Sequence, residues 1–224
     1  MKIFFVIFIL ISLVHFIAIV IKKENIRRIS KCLVMPLLLA VYLSGGGGSY
    51  ILPAAALVLG WIGDVLLIKI EKKTHFMLGL ASFLLGHVFY IIAFLRIIIS
   101  FGGMGLIGNI NIPAMLIFIP PTIVLTFIVF ALIKPTREMF FPVIAYMVVL
   151  VAMSLVGFQV FLLYPGVPGL LILSGCFNFM VSDTILAYYT FRKLRLPGAV
   201  LIMVYYILAQ AEIIFALMMI KGLF

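Results

Sequence analysis

The chain has 224 residues, of which 67% are hydrophobic and only 10% are charged, and its mean hydropathy is +1.43. Soluble domains carry about 25% charged residues, so this composition excludes a water-soluble globular domain. The net charge of +10 does not indicate a nucleic-acid partner, because the basic residues lie in short segments between apolar runs. Cys32 and Cys176 each lie inside an apolar run, so we expect neither a disulfide framework nor a Cys-based metal site.

Eight apolar runs divide the chain, and a transmembrane helix needs about 20 such residues. Backbone polar groups must be paired in lipid, and the runs do not alternate as barrel strands do. We therefore predict an all-α fold, a polytopic membrane helical bundle with about eight transmembrane helices. In chain order the predicted spans are Ile3–Ile21, Cys32–Leu43, Ile51–Ile70, Phe76–Ile99, Pro113–Ile133, Met139–Tyr164, Leu170–Phe191 and Ala199–Leu223.

The segments between the spans differ in composition. Ser44–Ser49 has the Gly-Ser composition of a flexible linker, which native loops and engineered linkers share. We predict a Gly-rich loop at Phe101–Asn111 and a tight turn at Pro165–Gly169. We also expect the first span to be a retained helix, because a basic segment follows it and no small-x-small cleavage site does.

Lysine and arginine are unevenly distributed between the two sides of the predicted bundle. The first, third, fifth and seventh connecting segments hold 13 of the 16 basic residues. By the positive-inside rule, these segments should face the cytoplasm and both termini should face outward. We expect a multi-pass integral membrane protein, in the endoplasmic reticulum of a eukaryote or in the inner (cytoplasmic) membrane of a bacterium.

A faint internal repeat relates the two parts of the chain. Gly63–Leu67 in the third span resembles Ser182–Leu186 in the seventh span. A single transmembrane domain over 1–224 could therefore contain a parallel four-helix repeat, with halves at about 1–111 and 112–224. Chance similarity among apolar segments explains the pattern equally well.

Three of the six acidic residues lie inside predicted spans, namely Asp64, Asp183 and Glu212. A charged acid at the centre of a membrane helix costs about 2.5–3.5 kcal/mol on insertion scales, so such residues usually face the bundle interior and indicate function. We favour a functional role for Asp64 and Asp183, because interhelical packing rarely needs an ionisable acid. Glu212 either contributes to the same cavity or pairs with a neighbour such as Gln210 or Tyr205.

The depths of the polar side chains along their helices suggest a common location. At 1.5 Å per residue, Asp64 lies roughly 7–8 Å and Asp183 roughly 13–14 Å from the inner boundary. His87 lies near mid-membrane, and Tyr146 lies at a depth like that of Asp183. We expect these four side chains to converge on one cavity in the inner half of the bilayer. For His87 alone, a packing role is about equally well supported.

Short motifs in a fixed order, across about residues 30–215, resemble the YhhN-like lysoplasmalogenase family of eight-helix membrane hydrolases. In chain order the motifs are Gly63-Asp64, Gly79, Gly86-His87-Val88-Phe89-Tyr90, Pro142, Tyr146, Gly175, Phe177, Ser182-Asp183 and Tyr206-Ile207-Leu208-Ala209-Gln210. The resemblance implies hydrolysis of the vinyl-ether bond of lysoplasmalogens, which releases a fatty aldehyde and a glycerophospho-ethanolamine or -choline. It also implies that Asp64 and Asp183 are the central acids, whereas Glu212 falls where the family pattern suggests an apolar residue.

The chemistry of this reaction suits the predicted acids. A vinyl ether is hydrolysed by protonation of its β-carbon and capture of the resulting oxocarbenium ion by water, which requires a proton donor and a carboxylate, as in glycosidases. We predict Asp64, Asp183 and His87 as catalytic residues, a lysophospholipid substrate in the membrane lipid, and no metal or other cofactor. The predicted substrate-binding residues are Tyr90, Tyr146, Asn178, Ser182, Gln210 and Glu212. Interhelical hydrogen bonding is the alternative role for the amide and hydroxyl groups in this set.

Two other classes of function share these sequence features. Intramembrane acids and repeated halves are also typical of a proton- or cation-coupled small-molecule transporter. The predicted repeat is parallel rather than inverted, which weakens this alternative. A non-catalytic lipid-binding or scaffold protein is the third hypothesis.

Overall fold

The structure is a computed structural model that describes residues 1–101, 105–192 and 198–220. Within these residues the chain forms helices and no β-strand. The helices are α1 (Lys2–Val20), α2 (Glu24–Ser44), α3 (Ile51–Leu66), α4 (Lys73–Ser100), α5 (Gly105–Gly108), α6 (Ile112–Ile133), α7 (Phe140–Leu163), α8 (Val167–Arg192) and α9 (Gly198–Met219). Short 3₁₀ turns at Leu67–Lys69 and Arg137–Met139 extend α3 and α7.

Seven helices in the described part of the chain are long and apolar enough to cross a membrane. They are α1, α3, α4, α6, α7, α8 and α9, and they correspond to seven of the eight predicted spans. The predicted class, an all-α polytopic membrane bundle, is therefore confirmed. A helix pairs most of its backbone polar groups internally, which is the requirement that hydrocarbon imposes.

Helix α2 corresponds to the remaining predicted span, but it is longer than expected. It begins at Glu24 and not at Cys32, because residues predicted to form a basic loop are its first two turns. Glu24 pairs with Arg27 at 2.7 Å and with Arg28 at 3.6 Å, and such i,i+3 and i,i+4 pairs stabilise a first turn. The hydrogen bond from Arg27 lowers the pKa of the Glu24 carboxyl below its ordinary value. These charges exclude α2 from the seven apolar helices, and its role as an eighth span stays a prediction.

The Gly-Ser segment between α2 and α3 forms a compact turn that packs on α2. Gly46 has a φ of 87°, a left-handed conformation that favours glycine, and a 3₁₀ turn follows at Gly47–Ser49. Gly47 is buried against the ring of Tyr42, where a Cβ atom would overlap that ring. The Tyr42 hydroxyl donates to the carbonyl oxygen of Tyr50 at 2.7 Å, which closes the turn.

The other boundaries move by a few residues. Helix α8 begins at Val167, within the predicted turn at Pro165–Gly169, because Pro168 fits the first turn of a helix, where its missing N–H is not needed. Asn111 precedes α6, and its side chain accepts a hydrogen bond from the Ala114 N–H at 3.1 Å. The predicted loop before it contains the short helix α5, and residues 102–104 of that loop lie outside the described residues.

The described residues form two compact units, one ending at Phe89 and the other starting at Tyr90. In the first unit, α2 packs against α1 and α3, and Ser82 of α4 donates to the Leu59 carbonyl oxygen of α3 at 2.6 Å. In the second unit, α8 packs against α7 and α9, and α6 packs against α7 and α8. The repeat halves predicted from the sequence stay a prediction.

Candidate functional site

Asp64 lies near the end of α3 and forms an ion pair with Lys31 of α2. The Asp64 Oδ1 and Lys31 Nζ atoms are 3.5 Å apart, and the two side chains are only 3% and 11% exposed. Removing one partner of a buried ion pair strongly destabilises a protein, because the remaining charge stays buried without compensation. The pair therefore couples α2 to α3 at the predicted catalytic acid.

The turn of α2 that carries Lys31 is held on both sides. The Cys32 carbonyl oxygen accepts a hydrogen bond from Trp61 Nε1 of α3 at 2.9 Å. The Ser30 hydroxyl contacts His15 Nδ1 of α1 at 2.9 Å and also lies 2.7 Å from the Ile26 carbonyl oxygen. Both sequence neighbours of Lys31 are thus bonded to other helices, which fixes this turn of α2 against α1 and α3.

His87 lies on α4 in the first unit, where α3 and α4 approach closely. Its side chain is buried, with 2% of the residue exposed. Gly86, the preceding residue, packs on the backbone of α3, and a Cβ atom there would lie 3.3 Å from the Ala56 carbonyl oxygen. Close helix contact of this kind depends on small residues. His87 is therefore a buried side chain on a helix that packs closely on α3.

Asp183 lies on α8 and has a neutral hydrogen-bond partner from α7. Its Oδ2 atom accepts a hydrogen bond from the Tyr146 hydroxyl at 2.6 Å. Tyr146 is buried and Asp183 is partly buried. No salt bridge to Asp183 occurs among the residues that the structure describes. The structure thus brings together the acid and the tyrosine that the sequence placed at similar depths.

A second hydrogen-bonded group in the second unit joins α4 to α9. The Tyr90 hydroxyl donates to Gln210 Oε1 at 2.5 Å, and Gln210 Nε2 lies 3.5 Å from the Tyr206 hydroxyl. The ring of Phe179 contacts both tyrosine rings, with centroid distances of 6.3 Å to Tyr90 and 6.0 Å to Tyr206. Tyr90 and Gln210, both predicted to bind substrate, are therefore bonded to each other.

Glu212 is the third intramembrane acid, and its partners lie on α8. Its two carboxylate oxygens accept hydrogen bonds from the Ser174 hydroxyl at 3.1 Å and from Asn178 Nδ2 at 2.8 Å. The neighbours proposed from the sequence, Gln210 and Tyr205, are not these partners, because Glu212 faces α8 and not its own helix. The Ser182 hydroxyl also bonds across this interface, to the Ile202 carbonyl oxygen at 3.1 Å.

The candidate residues are divided between the two units. Asp64 and His87 belong to the first unit, and the other predicted catalytic residue, Asp183, belongs to the second with all the predicted substrate-binding residues. Their convergence on one cavity stays a prediction. Within the described ranges, no group of three or more His, Cys, Asp or Glu side chains could hold a metal ion.

Lys31 was not among the site residues predicted from the sequence, where it counted only as a basic residue on the inner face. A usable signal was its position at the edge of an apolar run, one helical turn beyond Arg27 and Arg28. Ser174 was also missed, although it lies four residues before Asn178 and so on the same helix face.

The family comparison covers nearly all of these residues. The model of the YhhN family matches residues 26–217, a range that includes Lys31, the three intramembrane acids and their hydrogen-bond partners. Neither a curated protein nor a solved structure matches the chain.

Proposed function

The chain belongs to the YhhN family, which includes lysoplasmalogenases, and from this membership we propose that it hydrolyses the vinyl-ether bond of lysoplasmalogens. The products are a fatty aldehyde and a glycerophospho-ethanolamine or -choline. The observation that carries the proposal is the pair of acids Asp64 and Asp183 inside membrane helices, each held by a polar partner. The proposed setting is the endoplasmic reticulum or, in a bacterium, the cytoplasmic membrane.

The reaction consumes one water molecule and needs no redox partner. An acid transfers a proton to the β-carbon, and the π electrons of the double bond form the new C–H bond. The ether oxygen stabilises the cation at the α-carbon, where water adds and transfers a proton to a carboxylate. In the hemiacetal that results, the bond from the former vinyl carbon to the glycerol oxygen breaks. The glycerol oxygen takes up a proton and the hydroxyl group loses one, which leaves the aldehyde.

The two acids can supply the two functions that this sequence of steps requires, a proton donor and a proton acceptor. Enzymes assign such roles to a carboxyl pair by giving the two groups different environments. The surroundings of Asp64 and Asp183 do differ, since one contacts an ammonium group and the other a phenol. In this proposal, Tyr146 orients Asp183, and His87 orients the acids or transfers a proton between them and water.

The test is aldehyde release by the purified protein in detergent. The substrates are lysoplasmalogens with ethanolamine and with choline head groups, and aldehyde is followed through a coupled dehydrogenase. The matched control substrate is the saturated alkyl-ether lysophospholipid, which has no double bond to protonate and should give no product. Release from the vinyl ether alone supports the proposal. The absence of release with both head groups, or equal cleavage of the saturated ether, contradicts it.

The alternative is a proton- or cation-coupled transporter. It rests on the same intramembrane acids, because buried ionisable groups also form proton relays. Transport needs two compartments and hydrolysis does not, so turnover in detergent separates the two functions. If detergent samples give no aldehyde, uptake into proteoliposomes under an imposed pH gradient becomes the next measurement.

A further inference from the structure

We infer that Lys31 is a positioning residue that holds Asp64 as a carboxylate, so that Asp64 accepts the proton of the attacking water. This inference rests on the proposed hydrolysis and deepens it, because it assigns Asp64 a specific role in that reaction. It also gives Lys31 a function beyond the topological one expected from its charge.

The burial of the ion pair is the first observation behind this role. The Lys31 and Asp64 side chains are 11% and 3% exposed, and their charged atoms are 3.5 Å apart. The neighbouring pair between Arg28 and Glu24 on the same helix is different, because those side chains are 54% and 55% exposed. Exposed pairs contribute little, since water already solvates both charges. In a low-dielectric environment, the attraction between the ammonium group and the carboxylate is stronger than in water, so the ammonium group stabilises the negative charge of Asp64.

The fixed position of Lys31 is the second observation. Ser30 is bonded to His15 of α1, and Cys32 is bonded to Trp61 of α3, so the backbone on each side of Lys31 is held. The turn of α2 that carries Lys31 is therefore fixed against the helices on both sides of it, including α3, which carries Asp64.

The contrast with Asp183 is the third observation. Its Oδ2 atom accepts a hydrogen bond from the hydroxyl of Tyr146, a partner without charge. Among the described residues, no ion pair to Asp183 is present. The ammonium partner therefore distinguishes the surroundings of Asp64 from those of Asp183 within the described part of the chain.

These assignments balance over one turnover. The proton donor protonates the β-carbon, and Asp64 gains a proton from water as the new C–O bond forms. In the collapse of the hemiacetal, Asp64 returns its proton to the glycerol oxygen, and the deprotonated donor takes the proton of the hydroxyl group. Asp64 ends in its starting form, and Lys31 exchanges no proton, so it acts only through Asp64.

The test compares Lys31→Met and Lys31→Arg with the matched control Arg28→Met, which removes a positive charge one turn away. We expect Lys31→Met to lower kcat about 10–100-fold, the usual effect of losing a partner that orients a reacting group, with KM within threefold. Lys31→Arg keeps the charge and should restore kcat to within tenfold of wild type. Arg28→Met should match wild type in both constants.

Folding is measured in parallel by thermal unfolding in detergent. If Lys31→Met does not fold, Lys31→Arg decides: a folded Arg variant with kcat within tenfold of wild type supports the role, and a folded but inactive one overturns it. A folded Lys31→Met variant with kcat within threefold of wild type also overturns it. Wild type that releases no aldehyde refutes the proposed hydrolysis instead, and leaves the coupling of Lys31 to Asp64 measurable by a double-mutant cycle on stability.

Discussion

Asp64 and Asp183 lie in short sequence motifs that resemble each other, Gly63–Leu67 and Ser182–Leu186, yet their partners differ in charge. Asp64 faces an ammonium group from the preceding helix, and Asp183 faces a phenol from the preceding helix. An ion pair compensates a full negative charge, whereas a neutral donor stabilises an oxygen without neutralising it. Similar motifs can therefore carry different protonation roles, because the neighbouring helix supplies the partner.

Glu212 extends the comparison to a third environment. Its carboxylate accepts hydrogen bonds from one amide and one hydroxyl group, both on α8, and is only partly buried. This arrangement is typical of a hydrogen-bonded contact between two helices. The three acids thus form a series from charge compensation at Asp64 to interhelical bonding at Glu212, and we expect their substitutions to differ accordingly.

The largest expected effect is the loss of activity when either aspartate becomes asparagine. Asparagine keeps the shape of the side chain, but it neither donates an acidic proton nor carries negative charge. We expect Asp64→Asn and Asp183→Asn each to lower aldehyde release by about 10³-fold or more, within the range for general acid-base groups. The control is Glu138→Gln, at an exposed position on a 3₁₀ turn, which should retain wild-type activity.

Activity of the double variant sharpens this prediction. If the two acids act as a unit, Asp64→Asn combined with Asp183→Asn should be little worse than either single variant. Near-normal rates in both single variants would show that the two-carboxylate mechanism is wrong. Fully multiplicative losses would instead show that the acids act independently.

The second effect is a difference in how much the Asn substitution at each aspartate lowers the stability of the protein. Asp64→Asn leaves the Lys31 ammonium group buried without its anionic partner, which costs about 3–5 kcal/mol where such pairs have been broken. Asp183→Asn keeps an acceptor for the Tyr146 hydroxyl and should cost clearly less. The measurement is thermal or denaturant unfolding of both variants in the same detergent. Equal destabilisation would contradict the difference in charge compensation.

The third effect concerns the partner of Asp183. Tyr146→Phe removes the hydroxyl that donates to Oδ2 and should lower kcat about 10–100-fold, because the acid is no longer oriented. Tyr188→Phe, at an exposed tyrosine on α8, is the matched control and should not change kcat. Steady-state kinetics on the vinyl-ether substrate measure both. A loss confined to KM would indicate that Tyr146 binds substrate and does not position the acid.

The smallest effect is expected at Glu212. Glutamine there keeps an acceptor oxygen for Asn178 or Ser174 while removing the charge, so activity should stay within about threefold of wild type. Glu212→Leu leaves both donors on α8 without an acceptor and should destabilise the protein by about 1–3 kcal/mol. Unfolding and aldehyde release on the two variants test this. A large activity loss in Glu212→Gln would move Glu212 into the catalytic group.

The sequence by itself determined the class of the fold, because insertion into a bilayer depends on the local composition of each segment. The apolar runs alone located seven helices that the structure contains, and their polar interruptions identified Asp64, Asp183 and Glu212 as unusual. Predictions from local sequence were less accurate where contacts with residues elsewhere in the chain determine the conformation. Helix α2 extends through residues predicted as a loop, and the Gly-Ser segment forms a compact turn against the ring of Tyr42.

Only the tertiary structure decided the partner of each acid. The contacts between Lys31 and Asp64, between Tyr146 and Asp183, and between Glu212 and α8 join residues 33 to 38 positions apart. Composition and helical periodicity specify which face of one helix is polar, but not which residue of another helix meets it. That pairing depends on how helices rotate and approach when they pack. The distinction between an acid with a charged partner and an acid with a neutral partner is for this reason a property of the packed helices.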